Sequence, residues 1–469
     1  MSQFYKYFFK SLPCIIALCF ILLTSCEREA FQSSRSGNFS FSTDTVMFDT
    51  IFTDLGTPTY KLLLKNPNNF NLRIDSVYLA DTQKGFIVNV NGLSSLPLKN
   101  LSLGANDSLY IFIQAFIPPT QEDASFTNED SLIFVSGNTN KKVRLIAFGQ
   151  NTIHFRDQNI KTQEWINSKP YLIYGTLTVD SGHKLTINEG VKVYFHRNAK
   201  LLVNGAIDVK GSFLHPVKFR SDRLEKDYDT LPGQWGGIII RGTHDNHSLN
   251  YAVIRNATTG IVFGDYKNDA VVKAEVKNTI IANMAYSSVI AYQANITANN
   301  TVLANTGNTT CFLYGGEYTF THCTFANYGA REIPRSVDSK TLKLSNYAEP
   351  GPIAKDLINA NFINSIIYGS NQNEIQLLNK TGSRFRYNFE NCLIHNSDIS
   401  QILGSNNVFN KSPKFISSLK ENFRIDSLSP AKNAGNITYG SQVPFDLDNN
   451  PRTTDAAPDM GAYERKEKQ

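Results

Sequence analysis

Methionine and tryptophan are rare in this chain of 469 residues, which contains 4 Met and 2 Trp. Charged residues make up 19%, less than the usual quarter, and no block of Lys or Arg is long enough to act as a nucleic-acid-binding tail. P-loop, dinucleotide-binding and nucleophile-elbow motifs are absent as well. The sequence therefore predicts no nucleic-acid partner and no cofactor, and it nominates no catalytic residue and no metal ligand.

Cysteine is also scarce, with 6 in the whole chain and no CxxC pair. The missing CxxC argues against a thioredoxin-like motif and a thiolate metal site. Only Cys311, Cys323 and Cys392 follow position 26. An odd number in an exported protein leaves a reactive thiol as one interpretation. The favoured interpretation is three small buried side chains packed inside strands.

Aromatic and turn-forming residues are abundant instead, with 31 Phe, 21 Tyr and 29 Gly. Phe and Tyr favour strands, and Gly favours the turns between them, so this composition is typical of a β protein. A hydrophobic fraction of 41% is ample for a folded core and excludes global disorder. We therefore predict an all-β fold class.

The first 25 residues have the features of an export signal. Lys6 and Lys10 precede an apolar run, Pro13–Leu23, that is too short to span a bilayer comfortably. The run ends in Leu23-Thr24-Ser25-Cys26, which resembles the bacterial lipobox. This resemblance implies removal of residues 1–25 and lipid attachment at Cys26. A plain signal peptide followed by an incidental cysteine is the alternative.

Residues 26–38 are small and polar after the first few positions, so we interpret them as a flexible tether. The tether begins with Glu27-Arg28-Glu29 after the cysteine, and this acidic patch resembles the surface-export signal of Bacteroidetes lipoproteins, interrupted by Arg28. The resemblance implies an outer-membrane protein held by its N-terminal lipid. It leaves open which side of that membrane displays the chain.

Residues 39–150 contain short alternating runs separated by turn signals such as Asn91-Gly92. Strands at this spacing predict a β-sandwich. The segment also resembles immunoglobulin-like domains of the Hydin type, which implies a spacer or interaction module. The resemblance rests on Lys65-Asn66-Pro67, Leu101-Ser102-Leu103-Gly104, Ile117-Pro118 and Ala147-Phe148-Gly149.

A repeat begins after the predicted sandwich. Asn278–Asn283 recurs as Asn300–Asn305 and again as His322–Asn327, each time 22 residues later. Strands this short need neighbours stacked above and below, and a solenoid provides them because each coil packs against the next. We therefore predict a right-handed parallel β-helix over 151–422, with Ile280, Val302 and Phe325 sharing one interior column.

The first position of each repeat is polar, and it predicts a structural ladder of side chains that hydrogen-bond from coil to coil. Binding groups on an open surface are the alternative interpretation of the same residues. The predicted ladder consists of Asn278, Asn300, His322, Asn364 and Asn391.

Three further segments resemble parts of known exported proteins. Gly175–Gly190 and Gly233–Gly242 resemble right-handed parallel β-helix repeat proteins, and in these proteins the Trp-Gly-Gly element opens a coil, which implies a structural role for Trp235. Residues 423–465 resemble the choice-of-anchor Q segment of bacterial surface proteins. We interpret this last segment as a cap, because an open solenoid end exposes unpaired strand edges.

Two polar insertions interrupt the repeat, at Ala330 to about Lys355 and at Asp222–Pro232. Insertions in solenoids form loops on one face, which is often the binding face. Solvated loops without a ligand are the alternative. The candidate binding residues of the longer insertion are Arg331, Arg335, Lys340 and Tyr347.

Carboxylates on the repeats are scattered, and the two weak metal patterns, His244 with His247 and Asp446 with Asp448, lack the remaining ligands of known sites. The first hypothesis is therefore a lipid-anchored cell-envelope protein that presents a β-helix for binding a polysaccharide or a surface protein, without catalysis. The alternative is a carbohydrate-active enzyme, either a polysaccharide lyase or a glycoside hydrolase. A purely structural envelope component is the third possibility.

Overall fold

A computed structural model describes residues 34–121, 123–244, 246–347, 354–454 and 456–466. The predicted signal peptide, Cys26 and the first part of the tether lie outside these residues. The described chain forms two compact units. One unit runs to Thr120 and includes Ser125–Gln150, and the other contains Gln121–Ala124 and the residues from Asn151 onward.

The first unit consists of two mainly antiparallel sheets. Alternating apolar residues of both sheets, such as Leu62, Val77 and Ile111, are fully buried in a common core. The four-stranded sheet has the order β1-β3-β7-β5 and the five-stranded sheet the order β2-β9-β8-β4-β6. The strands are β1 (Ser40–Phe41), β2 (Thr45–Phe52), β3 (Tyr60–Lys65), β4 (Leu72–Leu79), β5 (Phe86–Val90), β6 (Leu98–Leu103), β7 (Ser108–Ala115), β8 (Phe126–Ser136) and β9 (Thr139–Gln150), with a 3-10 turn at Thr82–Lys84.

The second unit is built of short strands in which each strand pairs in parallel with the strand one coil further on. Three rows of such strands run along it. The first face contains β10 (Ile153–Ile160), β12 (Tyr171–Val179), β14 (Lys192–Phe195), β17 (Val217–Ser221), β20 (Ala252–Arg255), β23 (Ile280–Met284), β26 (Val302–Thr306), β29 (Thr324–Asn327), β32 (Ile366–Gly369), β35 (Leu393–Ile394) and β37 (Val408–Phe409).

The second face continues from β12, which pairs with strands of both rows. It contains β15 (Lys200–Val203), β18 (Gly237–Ile240), β21 (Thr259–Phe263), β24 (Ser287–Tyr292), β27 (Cys311–Tyr314), β30 (Leu342–Ser345) and β33 (Ile375–Leu378). The third face contains β11 (Gln163–Trp165), β13 (Lys184–Asn188), β16 (Ala206–Lys210), β19 (His247–Asn250), β22 (Lys273–Lys277), β25 (Asn295–Asn299), β28 (Gly316–Thr321), β31 (Leu357–Ile363), β34 (Asn388–Glu390) and β36 (Gly404–Ser405).

These long parallel sheets confirm the predicted all-β class and the parallel β-helix. A hairpin of β38 (Phe415–Ser417) and β39 (Asn422–Ile425) and one short helix, α1 (Ile437–Gln442), follow the coils in the described chain. Short 3-10 turns lie at Lys226–Tyr228 and Ser418–Lys420. Of the helices in the described residues, none has the length and apolar character needed to span a membrane.

The interior column of the coils differs by one residue from the sequence prediction. Ile281, Leu303 and Phe325 pair in register and belong to one buried core. Ile280 and Val302 lie on the opposite side of the same strands, in a separate apolar cluster. The prediction that these two share a column with Phe325 was therefore wrong. Successive strand residues point to opposite sides, so only every second residue reaches the interior.

The cluster on the outer side of the first face is covered by the flanking segment, residues 415–454 and 456–466. Phe423, Leu447 and Tyr463 of this segment pack against Ala282, Ala304 and neighbouring residues of the strands. The sequence predicted a cap over the open end, whereas these contacts place the segment along the side of the coils. The reason is that first-face strands with apolar residues on both sides need cover on both sides.

The predicted ladder residues all occupy the corner between the third and first faces, with positive φ of 48° to 52°. Asn adopts this left-handed conformation more readily than most residues. Asn300 Nδ2 donates to Asn278 Oδ1 at 3.0 Å, and Asn364 Nδ2 lies 3.0 Å from His322 Nε2. Asn391 Nδ2 donates to the Ala434 carbonyl instead. The corner side chains therefore bind both the next coil and the flanking segment.

A buried arginine of the flanking segment completes this corner. Arg452 is fully buried, and its guanidinium donates to Glu464 at 3.0 Å, Asn300 Oδ1 at 2.9 Å and the Gly461 carbonyl at 3.1 Å. A guanidinium out of water needs a matching charge and hydrogen bonds for most of its N–H groups. Arg452 therefore ties the flanking segment to the ladder.

The three cysteines of the coils are free and buried, which confirms the interpretation as core residues. Burial raises the pKa of Cys323 and Cys392 to about 12. Such thiols remain protonated at neutral pH and are poor nucleophiles. Trp235 is likewise buried, stacked at 4.0 Å on Phe195, as its predicted structural role requires.

Arg452→Ala should destabilise the β-helix unit by about 3–5 kcal/mol, because it leaves Glu464 buried without its cation. The measurement is urea unfolding of the purified protein. Lys184→Ala is the matched control, since Lys184 pairs with Asp208 at the surface and should contribute less than about 1 kcal/mol. Equal unfolding midpoints for the two variants would contradict this account of the corner.

His322→Asn should remove part of the acid sensitivity of the fold. Burial and the nearby Arg452 hold the pKa of His322 well below its usual value, so the unfolded chain takes up the proton first. Stability contributed by neutral His322 is therefore present at pH 7 and is lost as the pH falls below about 6.5. Unfolding midpoints at pH 7 and pH 5 should differ more in the native protein than in the variant. His215→Asn, at an exposed histidine, should retain the native difference.

Candidate binding site

A cavity of about 440 Å³ lies where three segments of the β-helix unit meet, and we call it the side pocket. The first-face strands supply its base, since Arg255 ends β20 and Asn305 belongs to β26. The two polar insertions and the turn of the β38–β39 hairpin supply the remaining walls. The polar lining residues of interest are Thr230, Arg255, Asn283, Asn305, Tyr328, Arg331, Lys420 and Glu421.

Two asparagines join the walls of the side pocket. Asn283 Nδ2 donates to the Thr230 carbonyl at 2.7 Å, and Asn283 Oδ1 accepts from the Arg331 backbone N–H at 3.4 Å. Asn305 Nδ2 donates to Glu421 Oε1 at 3.3 Å. Both insertions and the flanking segment are therefore held at one place by side chains at equivalent positions of successive coils.

The charge of the lining is mainly positive, because Arg255, Arg331 and Lys420 face a single carboxylate, Glu421. Glu421 forms an ion pair with Arg255. Burial, together with the nearby Arg220, lowers the pKa of Arg255. Arg220 in turn pairs with Asp229, so both guanidinium groups have a carboxylate partner. Arg331 and Lys420 leave the lining with an excess of positive charge, which favours an anionic ligand.

Tyr328 adds a neutral hydroxyl to the side pocket. Burial and the neighbouring Tyr368 raise its pKa, so the phenol stays protonated at physiological pH. A protonated phenol both donates and accepts hydrogen bonds. The lining thus combines cations, amides and hydroxyls, which together suit a ligand with both carboxylate and hydroxyl groups.

The uncovered part of the first face carries further cations next to the side pocket. Lys192 lies beside Lys218, and Tyr194 beside Arg220, on the paired strands β14 and β17. The next strand, β20, carries Arg255. We call Lys192, Tyr194, Lys218 and Arg220 the cationic strip. Neighbouring strands are about 4.8 Å apart, so like charges facing each other across them are unfavourable unless an anion lies between them.

Further along the same face, a histidine is paired with a buried carboxylate. His196 Nδ1 lies 2.7 Å from Asp222 Oδ2, with the His196 side chain 49% exposed and the Asp222 side chain 6% exposed. Burial raises the pKa of Asp222, against the opposing effect of His196. The Tyr174 ring is 4.8 Å from the imidazole. A carboxylate that holds Nδ1 leaves Nε2 as the nitrogen available for proton transfer.

The predicted binding residues of the longer insertion do not stay together. Arg331 lines the side pocket and contacts Thr230. Arg335 is buried in an ion pair with Glu374, and its Nη1 donates to Glu374 Oε1 at 2.7 Å. Lys340 and Tyr347 are half-buried and do not line the pocket. Arg335 therefore fixes the insertion to the coils.

The two weak metal patterns are occupied by other contacts. His247 is buried, with Nε2 at 2.8 Å from the Gly242 carbonyl. Asp446 accepts from Asn450, and Asp448 pairs with Arg424. Within the described ranges, no group of three or more His, Cys, Asp or Glu residues is arranged to hold a metal ion.

Sequence reasoning missed most of the lining residues. Asn283 and Asn305 end the same repeats whose first residues suggested the ladder, so their equal spacing was an available signal. Lys420 and Glu421 gave no such signal, because Glu421 is 116 residues from its partner Asn305 along the chain and meets it only through tertiary packing. Arg255 was likewise an ordinary strand-end residue in the sequence.

Residues 158–270 match the family described as "Pectate-lyase like beta helix domain". The match includes the strands of the cationic strip and Arg255. No curated protein sequence matches this chain.

Two solved structures are similar over short parts of the chain. A family 123 glycoside hydrolase from Clostridium perfringens, studied for glycolipid glycan hydrolysis, is 10% identical with a TM-score of 0.18, over 24% of this chain and 26% of that chain. A protein of unknown function from Porphyromonas gingivalis W83 is 13% identical with a TM-score of 0.18, over 27% of this chain and 61% of that chain. This chain thus covers less than two thirds of either structure.

Proposed function

We propose that this protein is a lipid-anchored component of the cell envelope that binds an acidic oligosaccharide in the side pocket and along the cationic strip. The observation that supports this proposal is the excess of cations over carboxylates along the cationic strip and in the lining of the side pocket. Lys192 faces Lys218 on paired strands, and Arg255, Arg331 and Lys420 outnumber the one carboxylate of the pocket lining, Glu421. Such an arrangement costs stability in the free protein, and a ligand with repeated negative charges offsets that cost.

The size and chemistry of the side pocket suit a sugar. A cavity of about 440 Å³ is within the usual range for small-molecule sites. Tyr328 presents a phenol group for sugar hydroxyls, while Arg331 and Lys420 present cations for carboxylates. The matched family is named after pectate lyase, and pectate is itself an acidic polysaccharide.

The lipid anchor in this proposal depends on Cys26 and the resemblance of its flanking residues to a lipobox. Two or more acyl chains are needed for stable membrane attachment, and lipoproteins receive them at such a cysteine. The sandwich unit then acts as a spacer between the lipid and the β-helix unit.

Cys26→Ala should move the protein from the membrane fraction to the soluble fraction, because the variant lacks the thiol that carries the lipid. Immunoblots of fractions from cells grown with a radiolabelled fatty acid measure both location and label. Cys323→Ala is the control and should keep both. A labelled, membrane-bound Cys26→Ala protein would contradict the anchor.

Arg331→Ala should weaken binding of an acidic oligosaccharide about tenfold, since a charge-assisted hydrogen bond contributes roughly 1.5–3 kcal/mol. The measurement is isothermal titration with hexagalacturonate, with maltohexaose as the uncharged comparison. Arg384→Ala is the matched control, because the two side chains are 57% and 60% exposed and Arg384 does not line the pocket.

Binding of hexagalacturonate should also weaken with increasing salt, because its carboxylates interact with exposed cations. Equal affinity of Arg331→Ala and Arg384→Ala, or no binding of any acidic oligosaccharide to the native protein, would overturn the proposal.

A carbohydrate-active enzyme is the second candidate function, and the pairing of His196 with Asp222 favours it. An imidazole oriented by a buried carboxylate can move a proton in lysis or hydrolysis of a sugar chain. Incubation of the native protein with hexagalacturonate or maltohexaose distinguishes the two functions, since only an enzyme releases new unsaturated or reducing ends. Loss of that release in His196→Asn, with binding retained, would establish catalysis.

A further inference from the structure

The outer side of the four-stranded sheet in the sandwich unit carries an unusual set of apolar side chains. Tyr110, Ile87 and Phe112 are 55%, 50% and 37% exposed. Their strand neighbours Ile111 and Ile113 are fully buried in the core. The outer side of an antiparallel sheet is normally polar, so a group of exposed apolar residues there marks a surface that interacts with something else.

Strand pairing brings this group together around Phe112. Phe112 of β7 lies between Lys61 of β3 and Asn89 of β5, and Ile87 of β5 lies beside Gln114 of β7. Tyr110 precedes Phe112 by two residues on the same side of β7, with ring centroids 6.4 Å apart and planes inclined by 32°. The two rings therefore form a nearly continuous aromatic surface along one strand.

A shallow cavity of about 360 Å³ adjoins this surface. It is lined by Thr59, Ile87, Asn89, Phe112 and Gln114, none of which is charged. Gln114 Nε2 donates to Thr59 Oγ1 at 2.9 Å, and Asn89 Oδ1 accepts from the Gly92 backbone N–H. These bonds hold both amides in place and leave the Gln114 carbonyl oxygen and the Asn89 amide N–H groups for a ligand.

We propose that this aromatic face, formed by Tyr110, Phe112, Ile87, Asn89 and Gln114, is a second binding site that takes a neutral polysaccharide. The apolar C–H side of a pyranose ring packs on an aromatic ring, and the hydroxyls at its edge bond to amide and hydroxyl side chains. The uncharged cavity lining complements an uncharged ligand. The side pocket, in contrast, presents three cations.

An extended polymer fits this face better than a single sugar. Tyr110 and Phe112 are separated by one two-residue repeat of the strand, a distance comparable to the length of one hexose unit. Two consecutive units of a chain can therefore pack on the two rings while a neighbouring unit reaches the Asn89 and Gln114 amides. The site is independent of the proposed acidic ligand, because it lies in the other compact unit.

The test uses the full protein and four neutral polysaccharides, a β-glucan, a mannan, a xylan and amylopectin, in affinity electrophoresis. The native protein should be retarded by at least one of them. Tyr110→Ala and Phe112→Ala should each weaken that binding about tenfold, since truncating a stacked aromatic removes most of the apolar contact. Both side chains point outward, so unfolding midpoints should stay near the native value.

Tyr266→Ala is the matched control, because Tyr266 is 50% exposed and lies in the β-helix unit. It should bind neutral polysaccharide as the native protein does. No retardation of the native protein by any of the four polymers would overturn the proposal. Unchanged binding in both Tyr110→Ala and Phe112→Ala would also overturn it. So would displacement of the polysaccharide by extended apolar peptides that pair with the edge strand β5.

Discussion

The later coils of the β-helix unit depend on a left-handed residue that precedes each first-face strand from β20 to β37. A corner in this conformation turns the chain from one face to the next without a loop, and Asn adopts it more readily than most residues. The side chain then has two partners, since Asn300 binds Asn278 of the previous coil and Arg452 of the flanking segment. Coil stacking and attachment of the flanking segment are therefore one hydrogen-bond network, and the buried charge of Arg452 is stable only within it.

The outward side chains of the first face change from cationic to apolar along the solenoid, and the candidate site lies where this change occurs. The early strands β14 and β17 carry Lys192, Lys218 and Arg220 outward, whereas the later strands β23 and β26 carry Ile280 and Val302. The flanking segment packs on the apolar part. Its hairpin turn ends at the boundary, where it closes the side pocket against the two insertions. The same packing that buries the apolar strands thus leaves the cationic ones open.

Sequence reasoning predicted the solenoid because a repeat of 22 residues with polar corners and apolar strands has few other solutions. It misplaced the interior column because two adjacent apolar positions, as in Ile280-Ile281, give no sign of which side faces inward. It also treated Arg335 and Arg331 alike, although one is buried against Glu374 and the other lines the pocket. Two arginines of one loop look alike in the sequence, and only the side chains that pack beside each one distinguish their roles.

The amino-acid sequence by itself determined the all-β class, the parallel coils, the corner residues and the burial of the cysteines, because each depends on local spacing and on turn chemistry. Only the tertiary structure decided that the last residues lie along the side of the coils and that Glu421 meets Arg255 there. It also decided that Tyr110 and Phe112 form one exposed surface. These features depend on contacts between residues far apart in the chain, so the spacing of residues in the sequence does not predict them. The free energy of such contacts comes from desolvation and packing in the assembled fold.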